Sequence, residues 1–251
     1  MAHTAPSASL PPGVGLAELV VLFSTYDPSG YSELRSAVTE LLARGLAHAG
    51  PVERRGARRR RELPLTAVAP ALADAAPSVT DTAAALAGLP PGSTARDLVA
   101  AMRERHGRPE HWGREVVLGG LVRAGLMTVT TRRRLGFAST RRERTAEGEQ
   151  VRALLAGRRD GLSALTAASS GADAAAAVDA GGLCALWVRD AWPVLTGIAA
   201  REPVALTSGL DGLAGRDLRP ALAALARGDL DGVGLEASPH GGDWVSLDAS
   251  S

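Results

Sequence analysis

The sequence predicts a mostly α protein: a single helical domain carrying winged-helix-like units of helix and β-hairpin. Three observations lead there. Apolar residues make up 45% of the 251, yet aromatics supply only 3%, so alanine and leucine, both strong helix formers, carry much of the apolar content. Leucine and valine recur at helical intervals along several stretches. The stretch from Val116 to Thr145, VVLGGLVRAGLMTVTTRRRLGFASTRRERT, reads as an amphipathic helix, a glycine stop and two short strands around an arginine-rich tip.

Taken in order, residues 1–13 are rich in Pro, Ser and Ala and are expected to be a disordered arm; they lack the basic region and apolar core of a secretory signal. The helical domain is placed at 14–230. Leu16, Leu19, Val20 and Phe23 follow helical spacing, and Asp27-Pro28-Ser29-Gly30 is a turn by composition. Ser32 is the expected N-cap of a helix whose apolar face is Leu34, Val38, Leu41, Leu42 and Leu46, with Gly45 where it should stop. Arg54, Arg55 and the run Arg58 to Arg61, followed by Glu62-Leu63-Pro64-Leu65-Thr66, make a second candidate wing and complete a first helix–hairpin unit at about 31–66. Residues 67–93 read as helix interrupted by prolines. Ser93 or Thr94 can cap a helix through Leu98, Val99 and Met102, which Gly107-Arg108-Pro109 breaks.

The second helix–hairpin unit spans about 110–155 and includes a helix from Ala146 to Leu155, with Asp160-Gly161 closing the segment. An internal echo links the two units: Leu41-Leu42-Ala43-Arg44-Gly45-Leu46 resembles Leu121-Val122-Arg123-Ala124-Gly125-Leu126, each after an amphipathic helix and before an arginine cluster. An Ala-rich helix follows at 172–180. Leu183 to Ile198 contains Trp187 and Trp192 and is kinked or ended by Pro193. A last helix runs from Asp217 to Arg227, and 231–251 is expected to be a flexible tail.

The function classes narrow by exclusion. The formal net charge is +1, so no global imbalance points to nucleic acid. All 28 basic residues are arginine, which excludes a Schiff-base or Walker A lysine. The single Cys184 allows no intrachain disulfide, fits a reducing cytoplasm and is read as a small buried apolar residue. No apolar run reaches the roughly 20 residues that span a bilayer. No G-x-G-x-x-G after a strand, H-E-x-x-H or G-x-S-x-G occurs. His106 and His111, with Glu110 and Glu115, are read as a solvated helix start rather than a metal cluster. Trp187 and Trp192 are read as core, and Asp211, Asp217, Asp229 and Asp231 as turn and capping residues. The expectation is a non-enzymatic binding protein with no catalytic residue, metal or cofactor.

The arginine clusters remain: Arg54 to Arg61, and Arg132, Arg133, Arg134, Arg141, Arg142 and Arg144. Guanidinium forks bind phosphate bidentately, whether it belongs to a nucleic acid or a lipid head group, and a solvated hairpin tip with local partners such as Glu143 and Glu147 is the competing reading.

The order Arg114-Glu115, a helix ending LVRAGLM, the hairpin RRRLGFASTRR and a helix near Thr145 resembles the Golgi phosphoprotein 3 family, in the form common in actinobacteria. The likeness extends over roughly residues 16–230 and includes Leu16 to Leu22 and the helix ending Glu40-Leu41-Leu42-Ala43-Arg44-Gly45. It implies a helical, peripheral membrane protein, cytoplasmic and on the inner face of the membrane, that recognises an anionic, phosphorylated (phosphoinositide-type) head group. In the family, basic residues bind the head group and a hydrophobic hairpin enters the bilayer. Carried over, Arg114 falls on one basic position, His111 where another arginine would stand, and Arg35 within one residue of a third. Gly30-Tyr31-Ser32 stands where the family has a tryptophan. The membrane-contact hairpin would be Arg132, Arg133, Arg134, Leu135, Phe137, Arg141 and Arg142, apolar residues collared by arginines. The alternatives are a winged-helix nucleic-acid binder and a winged-helix peptide- or protein-recognition partner of a biosynthetic enzyme.

Overall fold

The computed structural model describes residues 9–24, 27–55, 60–69, 74–134 and 137–235. It is mostly α, with only short two-stranded antiparallel sheets. At its centre lies α1 (Leu16–Phe23), with every residue buried except Val20. So short a helix has little stability of its own, and burial denies its ends water, so its end groups need partners from elsewhere. At the start, Gly15 N–H donates to Glu18 Oε2 at 3.2 Å and Leu16 N–H to Glu40 Oε2 at 2.6 Å. At the far end, Leu22 C=O accepts from Arg144 Nε at 2.6 Å.

Two helix–hairpin units pack on α1. In the first, α2 (Tyr31–Ala43) leads into β1 (Ala47–Ala49), β2 (Glu53–Arg55), β3 (Arg60–Glu62) and β4 (Leu65–Ala67). β1 pairs with β4 and β2 with β3, both antiparallel, so the second candidate wing is a hairpin interrupted halfway. Leu63 and Leu65 are buried, and Leu65 N–H bonds to Ser93 C=O. α3 (Pro77–Ala87) and α4 (Ala95–His106) follow, and Thr94 caps α4 reciprocally with Asp97.

In the second unit, α5 (Pro109–Trp112) runs through a π-helical stretch (Gly113–Leu118) into α6 (Gly119–Arg123). Then β5 (Met127–Arg134) pairs with β6 (Phe137–Arg144), in register from Met127 opposite Arg144 to Arg134 opposite Phe137.

The echo between the units is a shared cap. Gly45 sits at φ +66°, with Leu46 N–H bonded to Leu41 C=O at 2.9 Å and Gly45 N–H to Leu42 C=O at 3.1 Å. Gly125 sits at φ +73°, with Leu126 N–H bonded to Leu121 C=O at 2.9 Å and Gly125 N–H to Val122 C=O at 3.0 Å. Both are Schellman caps, which need the left-handed conformation that glycine adopts without strain.

The remaining elements are α7 (Ala146–Ser163), α8 (Gly171–Gly181), a 3-10 turn (Gly182–Leu186), α9 (Ala191–Arg201), β7 (Thr207–Ser208), β8 (Arg216–Asp217) and α10 (Arg219–Ala226). Trp187 meets Phe23 edge-on at 4.7 Å, and Trp192 is buried with its indole N–H on Ala185 C=O.

Several expectations are corrected. Gly30, not Ser32, is the N-cap of α2; Ser32 lies in the first turn, its N–H on Ser29 Oγ. The helix from Ala146 does not stop at Leu155 but continues to Ser163, because Gly157 and Gly161 face open space and an exposed helical glycine costs only about 1 kcal/mol. The packed chain also exceeds the expected 14–230. Leu10, Val233 and Leu235 are buried, which removes 10–13 from the arm and 231–235 from the tail.

A buried polar network closes the core. Glu18 accepts from the N–H and hydroxyl of Ser78, at the start of α3. Arg44 Nε donates to Glu40 Oε1 at 2.7 Å, and the rest of its guanidinium donates to the carbonyls of Asp211 and Gly212. Asp211 is a turn residue, at φ +55°, but its buried carboxylate pairs with Arg158 at 2.8 Å. Burial raises the pKa of Glu18 to about 7, opposed by the Ser78 hydrogen bonds and assisted by the Glu40 charge; burial likewise raises Glu40.

Candidate functional site

The arginines meet where the second unit touches the end of α1. The contact is made by backbone. A Cβ on Gly30, which sits at φ +79°, would lie 2.0 Å from the Pro109 carbonyl oxygen, and one on Gly113 would lie 2.7 Å from Pro28 Cβ. Side chains are therefore excluded at both positions, and the 28–30 turn lies directly against the start of the α5–π helix. Asp27 and Arg114 flank this contact.

Arg114 Nη2 lies 3.3 Å from Asp27 Oδ2, and Arg142 Nη2 lies 3.2 Å from Asp27 Oδ1. One carboxylate thus bridges two guanidinium groups that are 28 residues apart in sequence. Asp27 and Arg114 are largely exposed, with side-chain exposures of 64% and 55%, whereas the Arg142 side chain is only 12% exposed. Arg142 Nη1 is buried and has no hydrogen-bond partner among the described residues. On β6, Arg142 and Arg144 are two apart and share a face, as strand geometry requires. Arg144 uses that position to hold the Leu22 and Ser24 carbonyls. Arg141 points the other way and pairs with Glu143 at 2.6 Å. Beside the cluster, the Arg103 guanidinium hydrogen-bonds the Tyr31 hydroxyl and stands 5.7 Å from the ring centre, close enough for a cation–π contact.

The other expected site residues divide. His111 is exposed on α5, three residues before Arg114, and its ring makes no hydrogen bond among the described residues. Arg35 is buried and pairs with Asp231 at 2.6 Å; this partner lies on the segment after α10, so Arg35 is occupied in holding that segment. Leu135 lies outside the described residues. For Arg132, Arg133, Arg134 and Phe137 only the backbone is described, as the distal part of the β5–β6 ladder.

Elsewhere the chemistry is structural. Cys184 is buried, and burial raises its thiol pKa to about 12, far from a reactive thiolate. Asp81 Oδ2 accepts from His106 Nε2 at 2.8 Å and from the buried Trp112 indole N–H at 2.9 Å, tying α3 to the α4–α5 corner. Among the described residues, no group of three or more His, Cys, Asp or Glu could hold a metal ion, and no helix is long and apolar enough to cross a membrane.

Sequence reasoning missed Asp27 as a site residue. It reads as an ordinary turn aspartate, and its partners lie 87 and 115 residues away, where no local pattern reveals them. No protein-family model and no curated protein matches the chain.

Proposed function

We propose that this protein is a non-enzymatic, peripheral membrane protein that recognises anionic, phosphate-bearing lipid head groups where Arg114 and Arg142 converge. The observation that carries the proposal is the excess of positive charge at one point. Two guanidinium groups share a single exposed carboxylate, and a buried Arg142 N–H has no acceptor among the described residues. That N–H is itself buried, so an arriving anion meets the group at its exposed side, where Arg114 and Asp27 face solvent and one carboxylate offsets two guanidinium charges. Phosphate oxygens match guanidinium forks. The β5–β6 hairpin rises beside the cluster with Thr128, Val129, Thr130 and Thr131 all exposed, so the ladder projects beyond the core. Its arginines suit an anionic surface, at about 1 kcal/mol each near the membrane. The resemblance to the Golgi phosphoprotein 3 family, and a place on the inner face of the membrane, belong to this proposal.

Vesicle flotation tests it. The protein should co-float with phosphatidylcholine vesicles containing phosphatidic acid, and not with phosphatidylcholine alone. Binding should weaken with salt and fall roughly tenfold in an Arg114→Gln, Arg142→Gln double variant, if the two contacts together supply about 1.4 kcal/mol. Equal recovery on both vesicles, or an unaffected double variant, would overturn it. Tighter binding to duplex DNA than to vesicles would favour the nucleic-acid reading instead.

A further inference from the structure

We infer that Asp27 is a built-in competitor for the two-arginine site and sets the charge a ligand must carry to bind there. The inference rests on the head-group reading above. Both Asp27 oxygens are engaged, each by a different arginine, so the carboxylate takes the place a ligand phosphate would occupy. The contacts are loose: 3.3 and 3.2 Å, against about 2.7–2.9 Å for strong charge-assisted hydrogen bonds. The Asp27 side chain is 64% exposed, so water screens its ion pairs. The internal ligand is therefore present at all times and weakly held.

Its backbone is placed to keep it there. Pro28 is buried, and Gly30 is fixed against the Pro109 carbonyl by a contact that excludes any side chain. Asp27 is thus delivered to the arginines without loss of translational freedom, an advantage no free ligand has. A head group with one negative charge, such as a phosphodiester, offers the arginines no more charge than Asp27 already does. A phosphomonoester, with charge approaching −2 at neutral pH, offers more. Asp27 accordingly acts as a specificity-determining residue that favours phosphomonoesters over phosphodiesters.

The test compares flotation of wild type, Asp27→Asn and Asp27→Ser on vesicles carrying equal fractions of phosphatidic acid (phosphomonoester) or phosphatidylglycerol (phosphodiester). Wild type should prefer phosphatidic acid. Both Asp27 variants should gain about fivefold on phosphatidylglycerol, the fold-change for about 1 kcal/mol, and so narrow the preference. Glu143→Gln raises the net charge equally but lies outside the fork, on the Arg141 pair; it should leave the preference unchanged. If wild type binds and the Asp27 variants keep its preference, or Glu143→Gln narrows it equally, the competitor role is overturned and the head-group reading stands. If neither wild type nor the Asp27 variants bind either vesicle, the head-group reading falls and this inference with it.

Discussion

The two helix–hairpin units begin alike and end differently. Each has an amphipathic helix closed by a Schellman cap at Gly45 or Gly125, with the following strand starting two residues later. The first hairpin then folds back. Leu63 and Leu65 enter the core, the ladder breaks between β1 and β2, and Pro64 bridges to Thr94. The second hairpin runs in unbroken register from Met127 opposite Arg144, and Thr128 to Thr131, which alternate between its two faces, all stay exposed. The local device is the same; the side chains placed on the strands decide whether a hairpin packs or projects. An isolated two-stranded hairpin is only marginally stable in water, so the second hairpin depends on its base, where Met127 is buried and Arg144 grips the end of α1.

The widest difference should appear in stability. Leu65→Ala in the packed wing should cost about 2–5 kcal/mol in urea unfolding, whereas Val129→Ala at the matching stage of the projecting wing should cost under about 0.5 kcal/mol. Similar costs would mean that the second wing is packed in solution. Next comes the point where the units meet. Glu18 lies between them, bonded to α3 and facing Gly120 of α6, where a Cβ would lie 3.4 Å from Oε1. Its folded pKa of about 7 exceeds the ordinary 4.5, so the folded state binds the extra proton. The stabilisation from this proton is full below about 4.5 and is lost as pH rises through about 7, amounting to roughly 3 kcal/mol at most. Glu18→Gln should remove this component from a pH series of unfolding free energies; an unchanged slope would refute the assignment. The smallest effect tests the shared cap. Gly45→Ala and Gly125→Ala should each cost about 1 kcal/mol, and by similar amounts. A large inequality in their denaturation midpoints would show that the two caps are not equivalent.

These contrasts also mark what could be read in advance. Both units were legible because their information is local: a helical apolar face, a glycine stop, then strand-forming residues. The α4 cap at Thr94 and the core tryptophans were legible for the same reason. The length of α7 was not, because Gly157 and Gly161 suggest a stop that solvent exposure makes unnecessary. The ends of the packed chain were misjudged because Val233 and Leu235 lie among turn-forming residues and their burial depends on the rest of the fold. At the candidate site, Arg114 is expected from sequence as a head-group ligand and Arg142 only as part of the membrane-contact hairpin. Their convergence on Asp27, and the withdrawal of Arg35 to Asp231, could not, since each depends on pairing between distant segments.

The Asp211 carboxylate has a further consequence, for the order in which the chain can fold. Its Oδ1 accepts the Leu10 N–H across 201 residues of sequence, its Oδ2 accepts the Leu183 N–H and pairs with Arg158, and its carbonyl receives Arg44 across 167 residues. Contacts of such separation form late, because the entropy of closing long loops is lost before the contacts are gained. On a ribosome, the segment before α1 and the guanidinium of Arg44 have no Asp211 to meet until the 167 to 201 residues between them have been made and residue 211 has emerged. Until then these four partners of Asp211 go unbonded, and synthesis of the segment around residue 211 sets the moment at which this part of the core can close.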